Sequence, residues 1–167
     1  LTESPPPGLL DQAVGYPTTW VRADNEEALL ANLVAGQTVV SDPATFLDVV
    51  AWTVDAIAGP GEQLTTEGHK TSIEVTAQAE ASGLILEVVD LHGDACSDDY
   101  RELSGDPPAM DPEVLLSEAL EPETRTQRTI DFPGSDEARI VVWIRPEDPS
   151  MMGQSGVAVA APVHIQP

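Results

Sequence analysis

Apolar and polar residues alternate most strictly from Ser72 to Ala79, Ser-Ile-Glu-Val-Thr-Ala-Gln-Ala, and this period of two predicts a strand with one buried and one wet face. Leu84 to Leu91 follows Gly83 as a more continuously apolar strand, with His92-Gly93-Asp94 as its natural turn. Thr18 to Arg22, Thr38 to Ser41, Thr124 to Phe132 and Arg139 to Ile144 have the β-branched and aromatic content of further strands, the last a central one. Phe46 to Ile57 predicts one long strand or two joined by a bend, before the turn Gly59-Pro60-Gly61-Glu62. Val157 to Ile165 is broken by Pro162, which suits a sheet edge or a bulge.

The period changes between Asp24 and Gly36. Leu29, Leu30, Leu33 and Val34 form one stripe at helical spacing, Asp24 stands in the N-cap place with Glu27 completing a capping box, and Gly36 supplies a left-handed stop. A second, shorter helix is predicted where Asp111-Pro112-Glu113 places a cap, a first-turn proline and an acid ahead of Val114, Leu115, Leu116 and Ala119. Residues 1 to 17, rich in Pro and Gly, predict an extended, non-helical lead-in. About five to seven short strands after residue 44, punctuated by Gly and Pro, predict a mostly β fold. Its expected form is an antiparallel Ig-like β-sandwich preceded by a short strand-helix-strand segment.

Composition narrows the function. The 167 residues carry 29 acids against seven bases, a formal charge of −22 that repels nucleic acid and anionic lipid. Solubility or a high-salt environment accounts for such acidity, and dedicated cation binding is the alternative. No apolar run approaches the length of a membrane-spanning helix. The lone Cys96 cannot form an internal disulfide. The chain opens on Leu1 with neither a Met nor a basic leader, which reads as a processed product or a fragment of a longer polypeptide.

Candidate chemistry is sparse. In Asp90-Leu91-His92-Gly93-Asp94, a carboxylate, an imidazole and a second carboxylate at alternate positions could meet a divalent metal if they shared a strand face, and the alternative is a plain hairpin turn. Asp94, Asp98, Asp99, Glu102 and Asp106 could hold Ca²⁺ through oxygen ligands, although they follow no EF-hand spacing and also read as a solvated acidic loop. Cys96 lies among acids that disfavour its thiolate, no Gly-x-Ser-x-Gly elbow occurs, and neither a phosphate-binding nor a dinucleotide-binding loop is present. His69 and His164 stand alone. Trp20, Trp52 and Trp143 all fall in predicted strands, where core packing is the first reading and a sugar-binding platform the second.

Gly15-Tyr16-Pro17, Trp20-Val21, Glu27-Ala28-Leu29-Leu30, Leu33, Gly36 and Val39-Val40-Ser41-Asp42-Pro43 together resemble a junction in PHP-type metal-dependent phosphoesterases, particularly the extracytoplasmic CehA/McbA-like branch. Gly59-Pro60-Gly61-Glu62, Leu86-Glu87-Val88-Val89 with His92-Gly93, and Ala161-Pro162-Val163-His164-Ile165 look like motifs of the small β-sandwich that trails that family's catalytic domain. The resemblance implies that residues 1–43 are a remnant of the PHP-like domain and residues 44–167 an accessory β-sandwich. The family's His-x-His and other metal-binding positions lie upstream of the junction, so no catalytic or cofactor-binding residue carries over to this chain. Asp90 and His92 resemble the Asp-Leu-His opening of PHP and dipeptidase-type metallohydrolases, with Asp94 where a second ligand would stand. The expected role is therefore that of a non-catalytic, extracellular or envelope-associated accessory fragment. It would meet the rest of its parent chain or another subunit, and any divalent metal would belong to the parent. The rival expectation is a self-standing extracellular β-sandwich for adhesion or assembly, with Ca²⁺ in the acidic loop.

Overall fold

Alternating burial carries the predicted strands into two facing sheets. The computed structural model describes residues 18–42, 44–92, 111–132, 137–148 and 157–167. The smaller sheet is built from β3 (Thr45–Trp52), β4 (Ile57–Ala58), β6 (Thr71–Ala79) and β9 (Thr126–Phe132), all antiparallel, in the order β4-β3-β6-β9. Leu47, Val49 and Ala51 of β3 and Ile73, Val75 and Ala77 of β6 point inward, as the period-two pattern requires, and all are buried. The expected long segment from Phe46 to Ile57 is thus two strands joined by a bend, in which the Thr53 hydroxyl accepts from the Asp55 and Ala56 amides.

The larger sheet has eight strands. Its centre is β10 (Ala138–Pro146), paired along one edge with β7 (Leu84–His92), which in turn pairs with β8 (Asp111–Leu120). Along the other edge of β10 lie β11 (Ala158–Ala160) and β12 (Val163–Gln166). Beyond them stand β2 (Thr38–Ser41) with β1 (Thr18–Val21) outside it, and β5 (Gln63–Thr65), whose bond to β12 is parallel. Leu86 and Val88 of β7 and Ile140, Val142 and Ile144 of β10 meet the inner face of the smaller sheet in one apolar core. The molecule is a mostly β sandwich, as its pattern predicts.

Pro162 falls between β11 and β12, in the middle of the sheet. Ile144 pairs with Ala158 and Trp143 with Val159, yet Ile140 pairs with Val163, so one extra residue is accommodated at Ala161-Pro162. This bulge resets the pleat, and Ala158, Ala160, Val163 and Ile165 all face the core despite the odd spacing between the pairs.

Two local expectations are corrected. Asp111 to Ala119 is not a helix: it forms β8, because the open edge of β7 offers a full ladder of backbone partners and this outweighs the local capping chemistry. Pro112 is tolerated there because β8 is the sheet's outer strand. A register shift opposite Val88 and Val89 makes Leu115 an extra residue, and both Leu115 and Leu116 pack against the core. The helix α1 (Glu26–Val34) is capped by Asn25 and not by Asp24, with the Asn25 side chain accepting from the Ala28 amide at 2.9 Å. Gly36 does adopt the left-handed conformation, with φ of 75°.

The strand-helix-strand segment is stitched into the sandwich. β2 bonds to β11, Val39 and Ser41 are buried, and the Asp42 carboxylate accepts from the amides of Ala44 and Val157. The larger sheet therefore runs continuously across the boundary at residue 43.

Candidate functional site

β1 and β2 form an antiparallel pair whose connection is α1, so the helix lies beside the sheet and a cleft opens between it and the smaller sheet. Asn32 ties the helix down by donating from Nδ2 to the Arg22 carbonyl at 2.8 Å. Ala28 and Asn32 look into the cleft, which holds about 550 Å³. One wall is Trp20, Val39 and the end of β1; the other is Phe46, Leu47 and Asp48 of β3 with Ile57 of β4. The Gly59–Glu62 turn closes one end. Gly61 there has φ of 76°, and a Cβ on it would sit 2.5 Å from the Gly36 carbonyl oxygen, so two left-handed glycine turns are pressed together.

Several polar groups in the cleft have partners within it. Arg22 Nη2 donates to both oxygens of Asp48, at 2.8 and 2.7 Å. Glu62 accepts from the Gly59 amide at 2.6 Å and from Gln37 Nε2 at 2.9 Å. Trp20 donates from Nε1 to Ser41 Oγ at 2.7 Å, which fixes the indole while leaving the residue 46% exposed. Phe46 is 41% exposed, and the Arg125 guanidinium stands 6.0 Å from its ring centre.

A second polar cluster occupies the outer face of the larger sheet. Glu87, on β7, is 7% exposed and accepts a fork from Arg145 at 2.7 and 2.8 Å, the Trp143 indole at 2.7 Å and the Ser117 hydroxyl at 3.3 Å. The Arg145 guanidinium holds its carboxyl below the ordinary value against the opposing pull of burial, with Trp143 and Ser117 adding to the effect. A carboxylate kept ionised under this many donors anchors strands; it neither gives nor takes protons near neutrality.

The sequence candidates are distributed as follows. Asp90 is buried on β7, level with Ile140, and its Oδ1 accepts from the Arg139 amide at 3.1 Å. His92 ends β7, opposite Asp111. Asp94, Asp98 and Asp99, and with them Cys96, Glu102 and Asp106, lie outside the described residues. Among the described residues no three His, Cys, Asp or Glu side chains gather as a metal would require. His69 Nε2 lies 3.9 Å from Asp55 Oδ2 at an exposed site, and His164 sits partly buried on β12. Of the tryptophans expected in the core, Trp20 lines the cleft, Trp143 serves Glu87 and Trp52 is half-buried. The cleft itself was not foreseen, because Arg22 and Asp48 are 26 residues apart and nothing local in the sequence joins them.

Compared with protein-family models, curated proteins and solved structures, the chain gives no match.

Proposed function

We propose that the chain is a non-catalytic interaction module, and that the outward face of α1 is where it meets its partner, the catalytic domain of a PHP-like metal-dependent hydrolase. The observation that carries this is the bare stripe of the helix. Leu29, Leu30, Leu33 and Val34 are 41, 59, 48 and 88% exposed, and no residue of α1 is buried. Covering what they leave open is worth on the order of 1 kcal/mol each, enough to favour an interface over solvent. Charge supports a partner with basic groups around an apolar patch. Glu26 and Glu27 open the helix, and no base stands in its last turn. Arg22, Lys70, Arg128 and Arg145 are all tied to acids elsewhere on the chain. The resemblance of Gly15 to Pro43 to the PHP junction supports the identity of the partner.

The purified chain supplied with Mn²⁺ or Zn²⁺ is expected to leave an activated phosphodiester intact, and turnover abolished by a chelator would overturn the reading. A hydrophobic dye should bind the native chain and lose most of its fluorescence when Leu30 and Val34 are replaced by Ser.

The self-standing reading is favoured by a different observation, the bonding of β2 to β11 within one continuous sheet. It expects a monodisperse chain whose melting temperature rises with Ca²⁺.

A further inference from the structure

The cleft between α1 and the smaller sheet has a chemistry that the docking role of the helix's outer face does not use. Its polar groups already have partners inside it, Arg22 holding Asp48 and Glu62 accepting from Gly59 and Gln37, and with Asp24 in the lining one base stands against three acids. An anionic ligand would meet that excess of acid and have to break the Arg22 and Asp48 pair, whereas a neutral one leaves the pairs in place. A purely apolar ligand fits poorly, because it would strip water from the Arg22 and Asp48 pair and return no hydrogen bonds.

What the paired groups still offer is an array of donors and acceptors. Arg22 engages Asp48 through Nη2 alone, which leaves Nε and Nη1 as donors. Both Asp48 oxygens retain lone pairs. Asn32 uses Nδ2 on the Arg22 carbonyl and keeps Oδ1 as an acceptor. Neighbouring hydroxyls, each able to donate and to accept, match such an array.

The same cleft holds an aromatic face. Trp20 is 46% exposed, and its N–H is occupied by Ser41, so the indole is held in place and can offer its ring surface to a flat apolar face. Phe46 on the opposite wall already has the Arg125 guanidinium above it, which leaves Trp20 as the open platform. A volume near 550 Å³ lies within the range of small-ligand clefts.

We propose that this cleft binds a neutral oligosaccharide, with one sugar ring stacked on Trp20 and its hydroxyls bonded to Arg22, Asp48 and Asn32. The site goes beyond the docking role proposed above and does not depend on it.

The test is a ¹H–¹⁵N NMR titration of the full chain with soluble neutral hexasaccharides of β-1,4-, β-1,3- and α-1,4-linked glucose and of mannose. A cationic peptide and an apolar peptide serve as competing probes. At least one glycan should give saturable shifts at the Trp20 indole N–H and the side-chain amides of Asn32 and Gln37. Trp20→Ala should weaken that binding about tenfold and Trp20→Phe only a few-fold, since the smaller ring keeps part of the platform. Asp48→Asn, which preserves shape, should weaken it by several-fold and provides the readout should Trp20→Ala fail to fold. The proposal is overturned if no neutral glycan gives saturable shifts, if the shifts fall outside the cleft, or if Trp20→Ala binds as tightly as the parent chain. A peptide that perturbs these resonances where the glycans do not would overturn it equally.

Discussion

Glu87 shows how one residue can hold three strands, since its carboxylate draws donors from β8 through Ser117 and from β10 through Trp143 and Arg145. Because its pKa is lower in the folded chain, the stabilisation is fully present above the unfolded value and is lost as pH falls through the folded one. Glu87→Ala should cost about 2 kcal/mol at neutral pH, a figure kept modest because Arg145 remains partly solvated. In urea titrations the gap between parent and variant should close in strongly acidic solution; a gap that stays constant with pH would mean that packing, and not charge, is responsible. The residues of this cluster were individually visible in the sequence, but their meeting was not. Glu87 and Arg145 are 58 positions apart, and only the register of β7 against β10 brings them together. The same limit hid the cleft. Trp20 reads as a core residue until β1 is known to be the outermost strand of its sheet path.

Among elements, strands with a strict period of two were legible because burial of one face both selects that pattern and fixes its register. β6 follows from this directly, while β3, β7 and β10 were legible from their apolar and β-branched content. β8 was misread because Asp-Pro-Glu ahead of an apolar run satisfies helix-start chemistry, and local chemistry carries no information about a neighbouring strand edge with unpaired partners. The break at Pro162 was legible as an edge or a bulge, and it is a bulge, but one inside the sheet and not at its margin. The contact between the turns at Gly36 and Gly61 gives a test at this scale. Gly61→Ala should destabilise the chain by roughly 1–3 kcal/mol, since it adds an unfavourable positive φ to a clash with backbone that cannot rotate away. Gly36→Ala meets the same unfavourable positive φ but no clash, with nothing within 4 Å of its Cβ, and should cost less. Equal losses in thermal melts of the two variants would show that the turns are not pressed together.

For the whole molecule the dominant quantity is charge. At −22 over 167 residues, self-repulsion opposes the compact state, and the ion pairs at Asp48, Glu118, Asp131 and Glu87 offset only part of it. The melting temperature should therefore rise as sodium chloride is added, most steeply at low concentration and levelling off toward about 1 M, where the screening length falls to roughly 3 Å. A melting temperature that falls with salt would mean that the paired charges outweigh the repulsion. Such a salt response would also affect any basic partner of α1, whose attraction to Glu26 and Glu27 is weakened by the same ions.

The bulged strand pair β11 and β12 also governs the order in which the molecule can be assembled. These residues bond to β10 on one side and to β2 and β5 on the other, so the β1 and β2 pair and β5 have no bond to the rest of the larger sheet until the segment after Val157 is available. The bond from the Val157 amide to Asp42 alone spans 115 positions. Closing so long a loop is entropically slow, and it places the completion of the larger sheet after translation of these strands, with the edges of β2 and β5 exposed in the interval.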